Sequence, residues 1–305
     1  MSLYQKYRPQ TLEQVKGNED VILTLKGLLE NKETFPHTIL FSGQTGCGKT
    51  TMARIIASSL GCVGLDYREL NTADFRGIDT AREIIKSSQF TAMEGSVRVW
   101  VIDECHKLTG DAQNALLKIL EDTPKHVYFV LCTTEPEKLI STVRGRCSQF
   151  QMLPLPDQQM FGLLRRVTRE EGITLEKEVY DLIVQNALGH PRNALQILEQ
   201  VLNVSDEQKI EVAKKVSAEQ AQIIDLCRVL MKNGSSWSDV KKVLISIKDQ
   251  EAESIRRVVL GYCQAILLNG ENDKAAFIME QFWEPTYNHG FPMIVYAAYS
   301  VIKTA

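Results

Sequence analysis

The first half of the chain alternates short apolar runs with amphipathic stretches. Five short segments are candidate strands, and they cover Thr38–Ser42, Tyr67–Asn71, Val97–Asp103, Val127–Thr134 and Ser148–Met152. The third and fourth runs are almost continuously apolar, as parallel strands are when both faces of the sheet are covered. Between the runs, Thr51–Leu60 and Asp111–Glu121 place their apolar residues on one helical face. Strands that alternate with helices predict an α/β domain with a parallel five-stranded sheet.

The strand pattern ends at Leu153-Pro154-Leu155-Pro156, where two prolines lie within three residues. Such a segment predicts a joint between domains. Beyond it the pattern is helical, with predicted breaks at Gly172–Thr174, Gly189–Pro191, Asn233–Ser236, Asn269–Asn272 and Tyr287–Pro292. We therefore predict an α/β domain over residues 1–153, a small all-helical domain over 154–208 and a second all-helical domain over 209–305.

The composition excludes several classes of protein. The chain has 305 residues, of which 44% are apolar and 24% charged, so a disordered or fibrous protein is excluded. The net charge is −3, whereas a dedicated nucleic-acid-binding domain is often strongly basic. Any contact with DNA must then come from a local patch or from several copies together.

The seven cysteines form no C-x-x-C pair, so we expect neither a disulfide framework nor a zinc site. We find no membrane span and no secretory signal, and we expect a cytosolic protein.

A glycine-rich segment between the first strand and the following helix carries the strongest signal. It reads GQTGCGKT and fits the phosphate-loop pattern G-x-x-x-x-G-K-[ST] in full. Its glycines let backbone N–H groups wrap phosphates, Lys49 reaches the β- and γ-phosphates, and the Thr50 hydroxyl binds Mg²⁺. The pattern predicts ATP and Mg²⁺ as cofactors. The candidate nucleotide-binding residues are Gly43, Gln44, Thr45, Gly46, Cys47, Gly48, Lys49, Thr50 and Thr51.

The third apolar run ends in two adjacent carboxylates, Asp103 and Glu104. Beside a phosphate loop, Asp103 is a candidate Mg²⁺ ligand and Glu104 a candidate general base for the attacking water. The alternative is a strand end that is acidic by chance. The pair favours hydrolysis over nucleotide binding alone.

Further segments resemble, in order and spacing, the motifs of clamp-loader ATPase subunits: replication factor C small subunits, bacterial gamma/tau subunits and phage clamp-loader ATPases. The segments are Tyr4–Pro9 with Val15–Asn18, Asp103–Leu108, Ala112–Pro124, Thr133–Thr134, Arg144–Cys147 and Gly189–Leu195. The matching motifs follow one another closely up to about residue 200. Beyond that residue, at most the order of the predicted helices is similar. Gly145 replaces the serine usual before the arginine finger, and the four-cysteine module of gamma/tau subunits is absent, since Cys62 stands alone.

The resemblance implies an AAA+ module in which a P-loop ATPase domain precedes an all-α lid and an all-α collar. ATP would lie between the first two domains, with Tyr7, Arg8 and Pro9 beside the adenine. Thr134 would position the water and Arg192 would reach the γ-phosphate from the lid. Arg146 would act in a neighbouring subunit's site. For the two arginines a plain surface role is the alternative, and for Tyr7–Pro9 an N-terminal packing segment.

The segment Asn71–Lys86 resembles the part of this family that lines the path of DNA. It makes Arg76, Arg82 and the Ile78 backbone amide candidates for phosphate contacts. Gln113 is a candidate link between the DNA and the acidic strand end. The alternative is a solvated helix start with charge pairs.

The resemblance implies the ATPase subunit of a sliding-clamp loader. Such a subunit uses ATP binding and hydrolysis, stimulated by clamp and DNA, to open the clamp and load it on primer–template DNA. We expect the clamp, primer–template DNA and further loader subunits as partners, in a pentameric assembly at replicating DNA. The alternatives are another AAA+ DNA-remodelling ATPase, for recombination or branch migration, and a non-hydrolysing scaffold subunit. The complete set Lys49, Thr50, Asp103, Glu104 and Arg146 argues against the scaffold.

Overall fold

The computed structural model describes residues 1–31, 34–72, 75–232, 234–286 and 289–304. These residues form two compact units, Met1–Asn203 and Val204–Ala305. Asn233 and Tyr287, at which two of the predicted breaks begin, lie outside the described residues, and so do Ala73 and Asp74 in the predicted DNA segment. The division into three domains stays a prediction.

The first unit contains the predicted sheet of five parallel strands. The strands are β1 (Thr38–Gly43), β2 (Tyr67–Asn71), β3 (Arg98–Asp103), β4 (Val127–Thr133) and β5 (Ser148–Met152). Their order is β2-β3-β4-β1-β5, and every neighbouring pair is parallel. The carboxyl ends of all five strands therefore lie at one edge, which brings the loops after β1, β3 and β4 together.

Helices cover both faces of this sheet, as the continuous apolar runs predicted. The helices of the first unit are α1 (Leu3–Lys6), α2 (Glu19–Glu30), α3 (Lys49–Leu60), α4 (Ile78–Ser88), α5 (Gly110–Glu121), α6 (Ser141–Arg144), α7 (Asp157–Glu170), α8 (Lys177–Ala187) and α9 (Pro191–Leu202). Ile39 and Phe41 of β1 pack in the core that contains α3, whereas Leu40 packs in the core that contains α5. Alternate side chains of one strand therefore stabilise opposite layers.

Capping and turn residues set the ends of these helices. The Thr109 side chain accepts a hydrogen bond from the Ala112 N–H at the start of α5. The observed breaks between α7, α8 and α9 fall at the predicted glycines, since Gly172 and Gly189 both have positive φ. No helix in the described ranges is long and apolar enough to span a bilayer.

The second unit is helical and has its own apolar core. Its helices are α10 (Asp206–Met231), α11 (Trp237–Ser246), α12 (Ala252–Asn269), α13 (Asp273–Gln281) and α14 (Phe291–Thr304). The predicted boundary between residues 208 and 209 falls in the first turn of α10. The pattern missed the break at 247–251, because Ile247 is fully buried and this stretch contains neither glycine nor proline.

Candidate active site

The phosphate loop needs its glycines for two different reasons. Gly43 has φ +145°, and a Cβ there would lie 2.2 Å from the carbonyl oxygen of Met152 in β5. Gly48 has φ +96° and begins α3 as its N-cap residue, with open space where a Cβ would be. The loop therefore lies close against β5 while the first N–H groups of α3 are directed into the loop.

Lys49 is a buried cation with neutral partners. Its side chain folds back on the loop, and Nζ donates to the carbonyl oxygens of Gly43 at 2.8 Å and Gln44 at 3.0 Å. The residue is only 6% exposed. Among the described residues no carboxylate forms an ion pair with it. A buried ammonium group without an anionic partner is a site for an anion, and the adjoining helix N-terminus favours a phosphate.

Thr50 in the first turn of α3 and Asp103 at the end of β3 meet although β4 lies between β1 and β3 in the sheet. The Thr50 hydroxyl donates to Asp103 Oδ2 at 2.8 Å, and Asp103 Oδ1 accepts the Glu104 N–H at 3.0 Å. A hydroxyl and a carboxylate side by side are hard oxygen ligands of the kind that Mg²⁺ prefers. These residues therefore fit the predicted Mg²⁺ site.

Glu104 is held by its backbone in the left-handed region, with φ +52°. Its carbonyl oxygen accepts from the Thr72 hydroxyl at 2.6 Å and from the Lys107 N–H at 2.8 Å. The Thr134 hydroxyl lies 3.4 Å from Glu104 Oε2 and donates to it. Such a conformation costs about 1–2 kcal/mol for a non-glycine residue and is concentrated at functional sites.

A pocket lies between the phosphate loop, the N-terminal segment and helices α7 and α9. Its lining includes Tyr7, Arg8 and Pro9 together with Lys49, Asp103 and Arg192. Burial lowers the pKa of Arg8, and the positive charges of Arg54 and Arg192 lower it further. This concentration of positive charge around one pocket suits a polyphosphate.

The sequence and the fold are similar to those of several known proteins. Residues 66–156 match the family described as DNA polymerase III, delta subunit. The DNA polymerase III subunit gamma/tau of Mycobacterium bovis is 36% identical over 225 residues, which are 66% of this chain and 39% of that protein. The replication factor C small subunit of Methanococcus maripaludis strain C7 is 37% identical over 220 residues, which are 70% of this chain and 69% of that protein. This chain belongs to the clamp-loader AAA+ subunits.

Solved structures support the same fold class. A Thermotoga maritima RuvB, described as a Holliday junction branch migration motor, has a TM-score of 0.59 and 21% identity over 72% of this chain and 79% of its own. The AAA+ fold expected of a clamp-loader subunit is thereby confirmed. The match to the gamma/tau relative covers about two fifths of that protein's length.

This clamp-loader subunit also forms contacts with pocket residues that the sequence did not predict. The Arg192 guanidinium lies over the Tyr4 ring, 5.8 Å from its centroid. Glu171, at the end of α7, accepts from Lys6 Nζ at 2.7 Å and from the Tyr7 hydroxyl. No local pattern could have found Glu171, since 164 residues separate it from Tyr7.

Arg146 lies outside the pocket that collects the other predicted residues. Its Nη2 is 2.7 Å from Glu121 Oε2 at the end of α5, and its Nη1 donates to the Thr142 carbonyl oxygen at 2.9 Å. The described residues that line the pocket do not include it. The fold therefore collects Lys49, Thr50, Asp103, Glu104 and Arg192 and leaves Arg146 apart.

The predicted DNA-binding residues lie at the start of α4, where Arg76, Ile78 and Arg82 are all exposed. Arg82 Nη1 is 3.0 Å from Asp79 Oδ1 in an ion pair whose partners both face solvent. Gln113 does not face that surface. It is buried, and its amide donates to the Leu108 carbonyl and accepts from the Ile140 N–H, so its suggested link between the DNA and the acidic strand end stays a prediction.

Proposed function

We propose that this chain is an ATPase subunit of a sliding-clamp loader, which opens a clamp and loads it on primer–template DNA. The observation that carries the proposal is one pocket in which the Thr50–Asp103 pair and Glu104 come together with Lys49, a buried cation that has no ion pair among the described residues. The family membership supplies the clamp and the DNA as expected partners. A measurement of ATP hydrolysis by this chain would distinguish an ATPase subunit from a non-hydrolysing scaffold subunit.

Each residue of the pocket has a separate part in the proposed reaction. Lys49 and the first N–H groups of α3 bind the β- and γ-phosphates, and Arg192 approaches the γ-phosphate from α9. Mg²⁺, held by Thr50 and Asp103, would neutralise charge on the phosphate oxygens. Glu104 takes a proton from water while the water oxygen bonds to the γ-phosphorus and the bond to the ADP oxygen breaks. Thr134, whose hydroxyl donates a hydrogen bond to Glu104, orients this water.

The position of Arg146 supports a role in a neighbouring subunit. Because it lies beside Glu121 and away from its own pocket, its charge is available to the site of an adjacent copy or a related subunit. An arginine supplied in this way makes hydrolysis depend on assembly. The expected pentamer would provide such neighbours.

The exposed start of α4 supports contact with the DNA backbone. The Arg82–Asp79 pair is solvent-exposed, and such pairs contribute only about 0–1 kcal/mol, so Arg82 can exchange Asp79 for a phosphate. The Arg76 carbonyl is fixed by the Thr109 N–H at 3.0 Å, which holds this segment beside the loop after β3. Contacts to phosphates are independent of sequence and suit a loader that acts at any primer junction.

Replacing Arg76 and Arg82 together by Ala is expected to weaken binding of primer–template DNA of every sequence alike. The dependence of log K on log salt should flatten by up to about two phosphate equivalents, because two cationic contacts are lost. Fluorescence anisotropy at several salt concentrations measures both effects. Arg228→Ala is the matched control, since Arg228 forms the same kind of exposed pair with Asp225 at 3.0 Å in α10. An unchanged salt slope in the double variant would assign both arginines to the solvated surface.

An exposed apolar patch on the first unit supports docking of the clamp. Val63, Leu65, Phe90 and Met93 are 50%, 54%, 61% and 70% exposed. They lie around the fully buried Asp66, which accepts backbone N–H bonds from Met93, Glu94 and Gly95 at 2.7–2.9 Å. Burial alone would raise the pKa of Asp66, but these donors and Arg98 lower it to about 2. A rigid surface of exposed apolar residues is typical of a protein interface.

Clamp and primer–template DNA together are expected to stimulate ATP hydrolysis by the assembled subunit. Replacing Phe90 and Met93 by Ser should remove the clamp-dependent part and leave the basal rate unchanged, because the patch lies outside the pocket. Steady-state phosphate release measures both rates. Leu23→Ser is the control, since Leu23 is an equally exposed apolar residue, 73% exposed, on α2. A chain without any hydrolysis would contradict the proposed function, and stimulation that survives the double change would contradict this docking surface alone.

A further inference from the structure

A buried imidazole lies between the Glu104 carboxylate and a second carboxylate. His106 belongs to the short helix Cys105–Lys107 after β3, and its side chain is 5% exposed. Its Nδ1 is 3.0 Å from Thr133 Oγ1 and 3.5 Å from Glu104 Oε2. On the other side of the ring, Nε2 is 3.2 Å from Glu135 Oε1. The ring therefore separates Glu104 from Glu135 and from Lys138, which pairs with Glu135 at 2.6 Å.

The hydrogen bonds around the ring determine which nitrogen carries the proton. A carboxylate only accepts, so the contact with Glu135 requires a proton on Nε2. Thr133 Oγ1 already accepts the Glu135 N–H at 3.0 Å, so its own hydroxyl proton can be donated to Nδ1. Burial lowers the pKa of His106, which favours the neutral ring that satisfies both contacts. Nδ1 then presents a lone pair, and no proton, to Glu104.

We infer that His106 is a positioning residue for Glu104, with its ring held in place by Thr133 and Glu135. The ring, fixed by Thr133 and Glu135, lies 3.5 Å from Glu104 Oε2 and limits the positions that this carboxylate can take. The ring also fills the space through which this carboxylate could turn from the nucleotide towards Lys138. The inference rests on the proposed hydrolysis of ATP. It adds His106 to the proposed roles of Glu104, Thr134 and the two arginines.

The test compares His106→Ala and His106→Gln with the wild-type chain in steady-state ATP hydrolysis. We expect kcat of His106→Ala to fall about 10- to 100-fold, because a displaced base loses its geometry, while KM and the affinity for ATP stay within about twofold. His106→Gln should recover a large part of the loss, since its amide can fill the space and donate to Glu135. Adding His106→Ala to Glu104→Gln should lower kcat no further, because a positioning residue acts through its target.

His37→Ala is the matched control. Its half-buried ring also binds strand β4, through Nδ1 and the Val127 carbonyl oxygen at 2.7 Å, but at the opposite end of the strand. The inference is overturned by wild-type kcat in His106→Ala, by a loss that His37→Ala shares, or by a further loss in the double variant. A wild-type chain that hydrolyses no ATP would overturn the proposed function and this inference with it. Activity in the wild type and equal activity in His106→Ala would overturn the inference alone.

Discussion

Glu104→Gln is expected to bind ATP and DNA with wild-type affinity while its kcat falls about 10²- to 10⁴-fold. The amide has the shape of the carboxylate and keeps the contact with Thr134, but it cannot accept a proton from water. The hydrogen bonds of Lys49, the proposed phosphate ligand, do not involve this side chain. Single-turnover hydrolysis and equilibrium binding of ATP measure the two properties separately.

Glu137→Gln provides the control for the same chemical change at an exposed position outside the pocket. Its rate should match the wild type. If Glu104→Gln turned over at nearly the wild-type rate, Glu104 would not be the base, and the pocket would need another proton acceptor. If it lost ATP binding as well, the left-handed backbone at position 104 would be the first feature to re-examine.

Arg146→Ala is expected to lower hydrolysis by about 10³- to 10⁵-fold in a homogeneous assembly, and co-expression with Glu104→Gln should restore part of it. The first variant keeps a complete pocket of Lys49, Asp103 and Glu104. The second variant keeps Arg146, which its Glu121 pair directs away from its own pocket. Activity should return wherever the second subunit presents its arginine to the first. Phosphate release by purified mixed assemblies measures the recovery.

The matched control for this mixture is a chain that carries both changes. Co-expressed with Arg146→Ala, it offers no arginine, and no activity should return. A mixture that stays inactive although mass measurement verifies both chains would contradict the trans role of Arg146. Gly145, which stands where the family usually has serine, would then be the first residue to test.

Local patterns were enough to predict the fold of the first unit and the parts of its pocket. The candidate segments matched all five strands to within a residue or two. The signal was clearest for β3 and β4, since a strand covered on both faces is apolar on both faces. The phosphate loop is encoded by consecutive residues, and the proximity of Thr50 and Asp103 follows once the strands are parallel.

Contacts between distant elements could not be predicted in the same way. Glu171 accepts a hydrogen bond from Tyr7, and Asp66 forms an ion pair with Arg98. Both contacts form only because tertiary packing brings the two elements together. His106 was part of a recognised motif, yet its carboxylate partner on the far side, Glu135, follows another strand. The break after α11 could not be predicted either, because Ile247 is buried and no glycine or proline lies nearby. These features depend on tertiary packing, which leaves no periodic signal in the sequence.

The left-handed backbone of Glu104 has a consequence for attempts to stabilise this protein by directed evolution. Glycine and asparagine adopt φ near +52° with less strain than glutamate, so a screen that rewards heat resistance alone will favour them at position 104. The same screen would remove the proposed base and select chains that fold well and no longer turn over. Libraries built for stability should therefore keep position 104 fixed.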